Sequence, residues 1–138
     1  MTSRGHRIAQ AARSMVGVPF RPQGRDPAYG LDCVGLAAAA LAKEGIRADL
    51  PRGYPQRGGV AGEIIARIDA LGLTPLEAGT AGEGDLLLML AGPAQYHLAI
   101  RTAGGFVHAD AGLRRVVETP GEPRWPVLRA WFAAGEEG

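Results

Sequence analysis

The chain has 138 residues, 46% of them hydrophobic and 21% charged, which is the balance of a globular domain and unlike that of a disordered chain. Fifteen Lys and Arg against fourteen Asp and Glu leave a net charge of +1, without the basic excess that phosphate-backbone binding draws on, so nucleic acid is not an expected partner. The one cysteine, Cys33, excludes an intrachain disulfide.

The length suits a single domain over 1–138. No apolar run approaches the roughly 20 residues of a membrane span, and no signal-peptide pattern stands behind Met1. The expectation is a chain made in the cytoplasm without a Sec-type signal, so that action outside the cytoplasm would need another route of delivery.

In chain order, 3–16 is expected as a helix, with Ser3 as N-cap, Ile8, Ala12 and Met15 on one face, and Gly17 and Pro19 ending it. Residues 17–31 hold three prolines and three glycines and are expected to form no regular element. Asp32–Glu44 is the second helix, capped by Asp32, with an Ala-rich run and Gly45 as its close. A loop over 46–59 leads to a third helix, Val60–Leu71, with Ile64, Ile65, Ile68 and Leu71 toward the core and Gly72 as its stop. The pattern then changes to strands: Leu73–Leu76, Asp85–Leu90, Tyr96–Thr102, Gly105–Asp110, Leu113–Glu118 and Val127–Phe132. Helices followed by a meander make an α+β domain.

Cys33 falls directly after an N-cap candidate, where unpaired N–H groups and the helix dipole favour a thiolate. A lone cysteine is otherwise often a small buried residue. A thiol nucleophile also needs a base. His6 lies in a polar N-terminal turn, whereas His97 and His108 lie on the two arms of a hairpin. An even-numbered loop pairs Arg101 with Phe106, Ala99 with His108 and His97 with Asp110. The two histidines are then diagonal neighbours on one face, about 7–8 Å apart at Cα. An odd loop puts them on opposite faces. On one face, one ring can act as base and the other can orient it. The Cys33 backbone N–H, in the first helical turn, is placed to serve an oxyanion hole.

These residues resemble a known family. Gly30-Leu31-Asp32-Cys33-Val34-Gly35-Leu36 is similar to the Asp-Cys-x-Gly-Leu nucleophile motif of the NlpC-type cysteine peptidases, which have a papain-like fold. Tyr96-His97-Leu98-Ala99-Ile100 resembles their catalytic-histidine strand, Gly105-Phe106-Val107-His108-Ala109 the strand after it, and Gly84-Asp85-Leu86 the turn before it. Pro19-Phe20-Arg21-Pro22-Gln23-Gly24-Arg25 and Tyr54-Pro55 resemble the branch in tail-tip modules of tailed phages and gene transfer agents. Phe20 and Pro22 replace the family's frequent Tyr and Trp, and Val34 its frequent Ser after the cysteine; both fit that branch.

The resemblance implies an α+β papain-like NlpC-type fold, with N-terminal helices packed on a C-terminal antiparallel sheet. It implies cleavage of peptidoglycan stem peptides, commonly at D-glutamyl–diaminopimelate, with Cys33 as nucleophile, His97 as base and acid, and His108 orienting His97. By analogy with papain, Gln23 is expected at the oxyanion, with Asp32 beside it. Arg21, Arg25 and Arg52 could meet stem-peptide carboxylates. No cofactor or metal is implied, and the implied partners are stem peptides and other tail-tip proteins of a phage-like particle.

Three other readings use the same residues. Cys33, His97 and His108 could ligate zinc. The fold could serve as a non-catalytic tail plug or hub. A thioester on Cys33 could be resolved by an amine, giving acyl transfer. For hydrolysis, a thiolate–imidazolium pair of Cys33 and His97 predicts a bell-shaped pH profile.

Overall fold

The computed structural model describes residues 3–48, 61–92 and 95–133. Ser3 accepts from the His6 N–H at 3.0 Å and starts α1, Arg4–Arg13, which buries Gly5, Ile8, Ala9 and Ala12 along one stripe. The helix is shorter than the expected 3–16, because residues 14–17 turn and Gly17 takes φ +96°, a conformation glycine adopts without strain.

The proline-rich stretch that follows is not structureless. Arg25–Asp26 (β1) and Gly30–Leu31 (β2) form a small antiparallel ribbon, and Phe20 bridges to Leu31. Upstream of it, the Gly17 N–H donates to the Val116 carbonyl, the Val116 N–H to Val18 and the Phe20 N–H to Arg114, each at 2.9 Å. The expected loop therefore covers a sheet edge. Composition excludes long strands here but not two-residue pairings, which need only a few backbone partners in reach.

The second helix, α2, spans Cys33–Ala42 with Asp32 as its N-cap, and α3 spans Ala61–Ala70. Gly45 and Gly72, both at positive φ, follow them as expected. Ile68 is fully buried and Ile65 packs on the core, while the side chain of Ile64 is outside the described set. Most of the expected loop over 46–59, with Arg52, Tyr54 and Pro55, lies outside the described residues.

The strands are β3, Thr74–Leu76; β4, Leu86–Gly92; β5, Gln95–Arg101; β6, Gly105–Asp110; β7, Arg115–Pro120; and β8, Val127–Phe132. Among the described residues they make one six-stranded antiparallel sheet in the order β3-β8-β4-β5-β6-β7. The expected meander holds from β4 to β7 only. The chain then returns and inserts β8 between β3 and β4, giving each a partner that local spacing does not reveal. Trp131 on β8 is fully buried and its indole N–H donates to Asp69 Oδ1 of α3 at 2.9 Å.

The apolar run Leu86–Ala91 becomes the central strand β4, apolar on both faces because both are covered. Leu86 and Leu88 join Ile8, Leu36, Leu41, Ile100 and Trp131 in the core beneath the helices. Leu87 and Met89 join Ala99, Phe106 and Ala130 in a smaller cluster on the other face, against which Trp125 packs.

Candidate active site

The site is built where α2 meets the hairpin of β5 and β6. Asp32, in extended conformation and only 3% exposed, accepts from the Gly35 N–H at 2.8 Å and the Arg25 guanidinium at 3.0 Å on one oxygen, and from the Gln23 N–H at 2.9 Å on the other. One carboxylate thus caps the helix and fixes the preceding loop. Burial raises the Asp32 pKa, and the bonds from Gly35, Arg25 and Gln23 oppose that rise. Gly24 and Gly35 let the loop cross the helix start backbone to backbone; a Cβ on Gly35 would collide with the Gly24 carbonyl.

Cys33 opens α2, half-buried against the main core. Its helix-start position predicts a lowered thiol pKa. The structure gives the opposite: burial, reinforced by the nearby Asp32 charge, pushes the thiol up to about 11, and the Leu98 and Val34 backbone N–H groups and Arg25 offset this in part. Loss of water is the largest influence on this thiol. Leu98 directly follows His97 on β5, so Cys33 meets β5 beside that histidine.

The hairpin register is the even-loop alternative, with Arg101 opposite Phe106 and Ile100 opposite Val107. The ladder goes no further: the expected pairs Ala99 with His108 and His97 with Asp110 do not form, while β5 remains paired to β4 and β6 to β7. The two strands part at the level of the histidines, and α2 packs against both. Across this opening His97 Nε2 and His108 Nδ1 lie 2.8 Å apart, with the rings nearly perpendicular at 84°. His97 therefore keeps Nδ1 for another partner.

His108, 2% exposed, places its Nε2 2.9 Å from Thr119 Oγ1 on β7. Burial is the first cause of the lowered pKa of both histidines. For His97, which drops to about 4, His108 adds to the effect and Asp110 opposes it; for His108, Asp110 opposes it. Burial thus favours the neutral forms of the thiol and of both imidazoles in the free protein, against the expected resting thiolate–imidazolium pair.

Trp125 stands edge-on to both imidazoles, at 5.6 Å from His97 and 5.8 Å from His108 between ring centroids, and Phe106 lies 5.0 Å from His108. Neither Trp125 nor Thr119 is in the expected site. Trp125 sits in an irregular link with no periodicity to place it. Thr119 falls one residue beyond the strand expected at Leu113–Glu118, which in fact runs Arg115–Pro120.

Gln23 is exposed, with φ +58° and its backbone N–H held by Asp32. Asp32 itself faces Arg25 and the loop, and the Arg25 charge expected to meet a substrate is engaged with Asp32. Arg21 is exposed, and Arg52 lies outside the described residues. His6 pairs with Glu83 at 3.0 Å. Among the described residues, no three His, Cys, Asp or Glu side chains are grouped to hold a metal ion, and no helix is long and apolar enough to cross a membrane.

No family profile and no curated protein matches the sequence. Solved structures do. The chain is similar to the NlpC/p60 domain of the peptidoglycan hydrolase SagA, at 25% identity over 84% of this chain and 88% of that one, with a TM-score of 0.61. It is similar in fold to the peptidoglycan hydrolase RipB of Mycobacterium tuberculosis, at 20% identity over 96% of this chain and 66% of that one, TM-score 0.67. It also resembles NlpC1 of Trichomonas vaginalis, at 18% identity and TM-score 0.71, covering 96% of this chain but only 46% of that protein. The fold is the α+β fold of NlpC/p60 domains.

Proposed function

We propose that the chain is a thiol peptidase that cleaves peptidoglycan stem peptides, with Cys33 as nucleophile, His97 as general base and acid, and His108 holding His97 in orientation. The observation that carries this reading is the 2.8 Å contact of His97 with His108, at the opening where the Cys33 helix meets β5. Likeness to hydrolases of the same polymer, SagA and RipB, supports the substrate class.

In this mechanism His97 Nδ1 takes the thiol proton as Sγ attacks the amide carbonyl, because a thiol held up to about 11 is not ionised beforehand. The imidazolium so formed keeps its Nε2–H on His108. Its Nδ1 proton then goes to the leaving amine, which departs and leaves a thioester. Water attacks the thioester, giving its proton to His97, and the acid product and free thiol result. The Cys33 backbone N–H, first in α2 and without a partner inside the helix, faces the developing oxyanion. The Gln23 amide is the proposed second donor, on a loop held beside Cys33 through Asp32. Asp32 serves as scaffold, not as a substrate contact.

Delivery by a phage-like or gene-transfer-agent tail, together with other tail-tip proteins, is the proposed setting, with action in the periplasm or cell wall. Its support is the resemblance of the Pro19–Arg25 segment to tail-tip members of the family. The finer bond assignment, D-glutamyl–diaminopimelate, is proposed on the same ground.

A second reading, a non-catalytic tail module on this fold, is favoured by the packing of Cys33 against the core, which pushes its thiol pKa up and suits an inert cysteine. Digestion of purified stem-peptide fragments between about pH 5 and 9 decides between them. Peptidase function requires cleavage by the wild type that Cys33→Ala abolishes. Equal cleavage by both, or none by either, removes it. Slow alkylation of Cys33 in the free protein is expected on either reading and does not discriminate.

A further inference from the structure

Beyond the histidine pair, we propose that Thr119 is a positioning residue that sets the tautomers of both imidazoles; the inference rests on the peptidase reading and extends the site by one strand. Three side chains from three neighbouring strands form a line: His97 on β5, His108 on β6 and Thr119 on β7. His97 touches His108 through Nε2, and His108 touches Thr119 through Nε2. Each neutral imidazole carries one ring proton, so the direction of one bond fixes the direction of the other.

Two arrangements satisfy the line. In the first, the His108 Nε2–H donates to Thr119 Oγ1, His108 Nδ1 accepts from the His97 Nε2–H, and His97 Nδ1 carries a lone pair. In the second, the Thr119 hydroxyl donates to His108 Nε2, the His108 Nδ1–H donates to His97 Nε2, and His97 carries its proton on Nδ1. Only the first lets His97 Nδ1 accept a proton from Cys33. Threonine can favour it because Oγ1 accepts while its own hydrogen turns elsewhere. Thr119 is half-buried rather than sealed, so water can take that hydrogen. The charged or titratable groups acting on the pair are Asp110, on the same strand as His108, and the two histidines themselves.

The register makes the position specific. Thr119 is opposite Phe106, and His108 is opposite Val117, so Thr119 and His108 are diagonal neighbours on one face. Valine in place of threonine keeps the β-branched shape and strand preference and removes only the hydroxyl, and with it the partner of His108 Nε2.

The test compares wild type, Thr119→Val and Thr119→Ser. Ring-nitrogen NMR near pH 8 reads the tautomers without requiring turnover. The wild type is expected to carry the His108 proton on Nε2 and the His97 proton on Nε2, and Thr119→Val to show a mixture. With stem-peptide fragments, Thr119→Val is expected to lower kcat roughly tenfold at unchanged KM, and Thr119→Ser to restore it. A wild-type spectrum with the His108 proton on Nδ1, or a Thr119→Val protein with wild-type tautomers, overturns the proposal whether or not the protein is a peptidase. Absence of cleavage by the wild type alongside the expected spectra would instead remove the peptidase reading on which its catalytic meaning depends.

Discussion

His97 Nε2 and His108 Nδ1 lie 2.8 Å apart on two strands that are no longer paired to each other at that level. The imidazoles, not the backbone, span the opening there. Removing the second ring should therefore free the first. His108→Ala is expected to lower kcat about a hundredfold on stem-peptide fragments while leaving the far-ultraviolet circular dichroism unchanged. Wild-type kcat in this variant would remove His108 from the catalytic arrangement.

The pH–rate profile follows from the neutral resting pair. Activity requires His97 without its extra proton and Cys33 with its thiol proton, so kcat/KM should rise through an acid limb near 4 and fall through an alkaline limb near 11. A thiolate–imidazolium pair has the same total protonation and shares the plateau, so the limbs belong to the pair. A profile confined to one pH unit around neutrality would contradict the burial of these groups.

Stability should depend on His97 below neutrality. Its folded value of about 4 is under the ordinary 6.5, so the unfolded chain binds the proton first as pH falls. His97 thus costs no stability above pH 6.5 and progressively destabilises the fold down to pH 4, by about 3 kcal/mol over the window. Urea titrations should show His97→Gln losing less stability than wild type between those values. The raised Cys33 value has the converse sign at the alkaline end: stability should fall as pH rises from 9 toward 11, and Cys33→Ala should lack that slope.

Asp32 should be a stability residue as much as a site residue. Asp32→Ala removes a helix cap, the anchor of the Gln23 N–H and the partner of Arg25 together, and is expected to cost about 3 kcal/mol by chemical denaturation. Asp32→Asn retains an acceptor for the cap and should cost less than half as much. Equal losses would place the effect in the charge alone.

Local signals made much of this legible. The Asp32 cap and the alanines after it specify α2 to within two residues at either end, and the even hairpin loop, one of the two alternatives open in the sequence, puts His97 and His108 on one face. Position β8 in the sheet was not legible, because its partners β3 and β4 are distant in the chain and nothing in Val127–Phe132 encodes them. The direction of the thiol shift is not legible from Cys33's neighbours in sequence for a related reason. A helix start is a local feature, whereas the desolvation that raises the thiol comes from elements distant in the chain that pack beside Cys33. Thr119 was not legible because it falls one residue beyond the strand expected at Leu113–Glu118 and meets His108 only across the sheet.

Leu98 carries a wider consequence. Between two fully paired strands its amide would belong to the sheet; beside the opening, its N–H favours the thiolate of Cys33. The fold thus forgoes cohesion between β5 and β6 at the point where the proposed mechanism places a donor for the thiolate. Thermostabilising changes that zip these strands further should therefore silence the thiol as they raise Tm, whereas changes on the helix-covered face, around Ile8, Leu41 and Trp131, are free of that conflict.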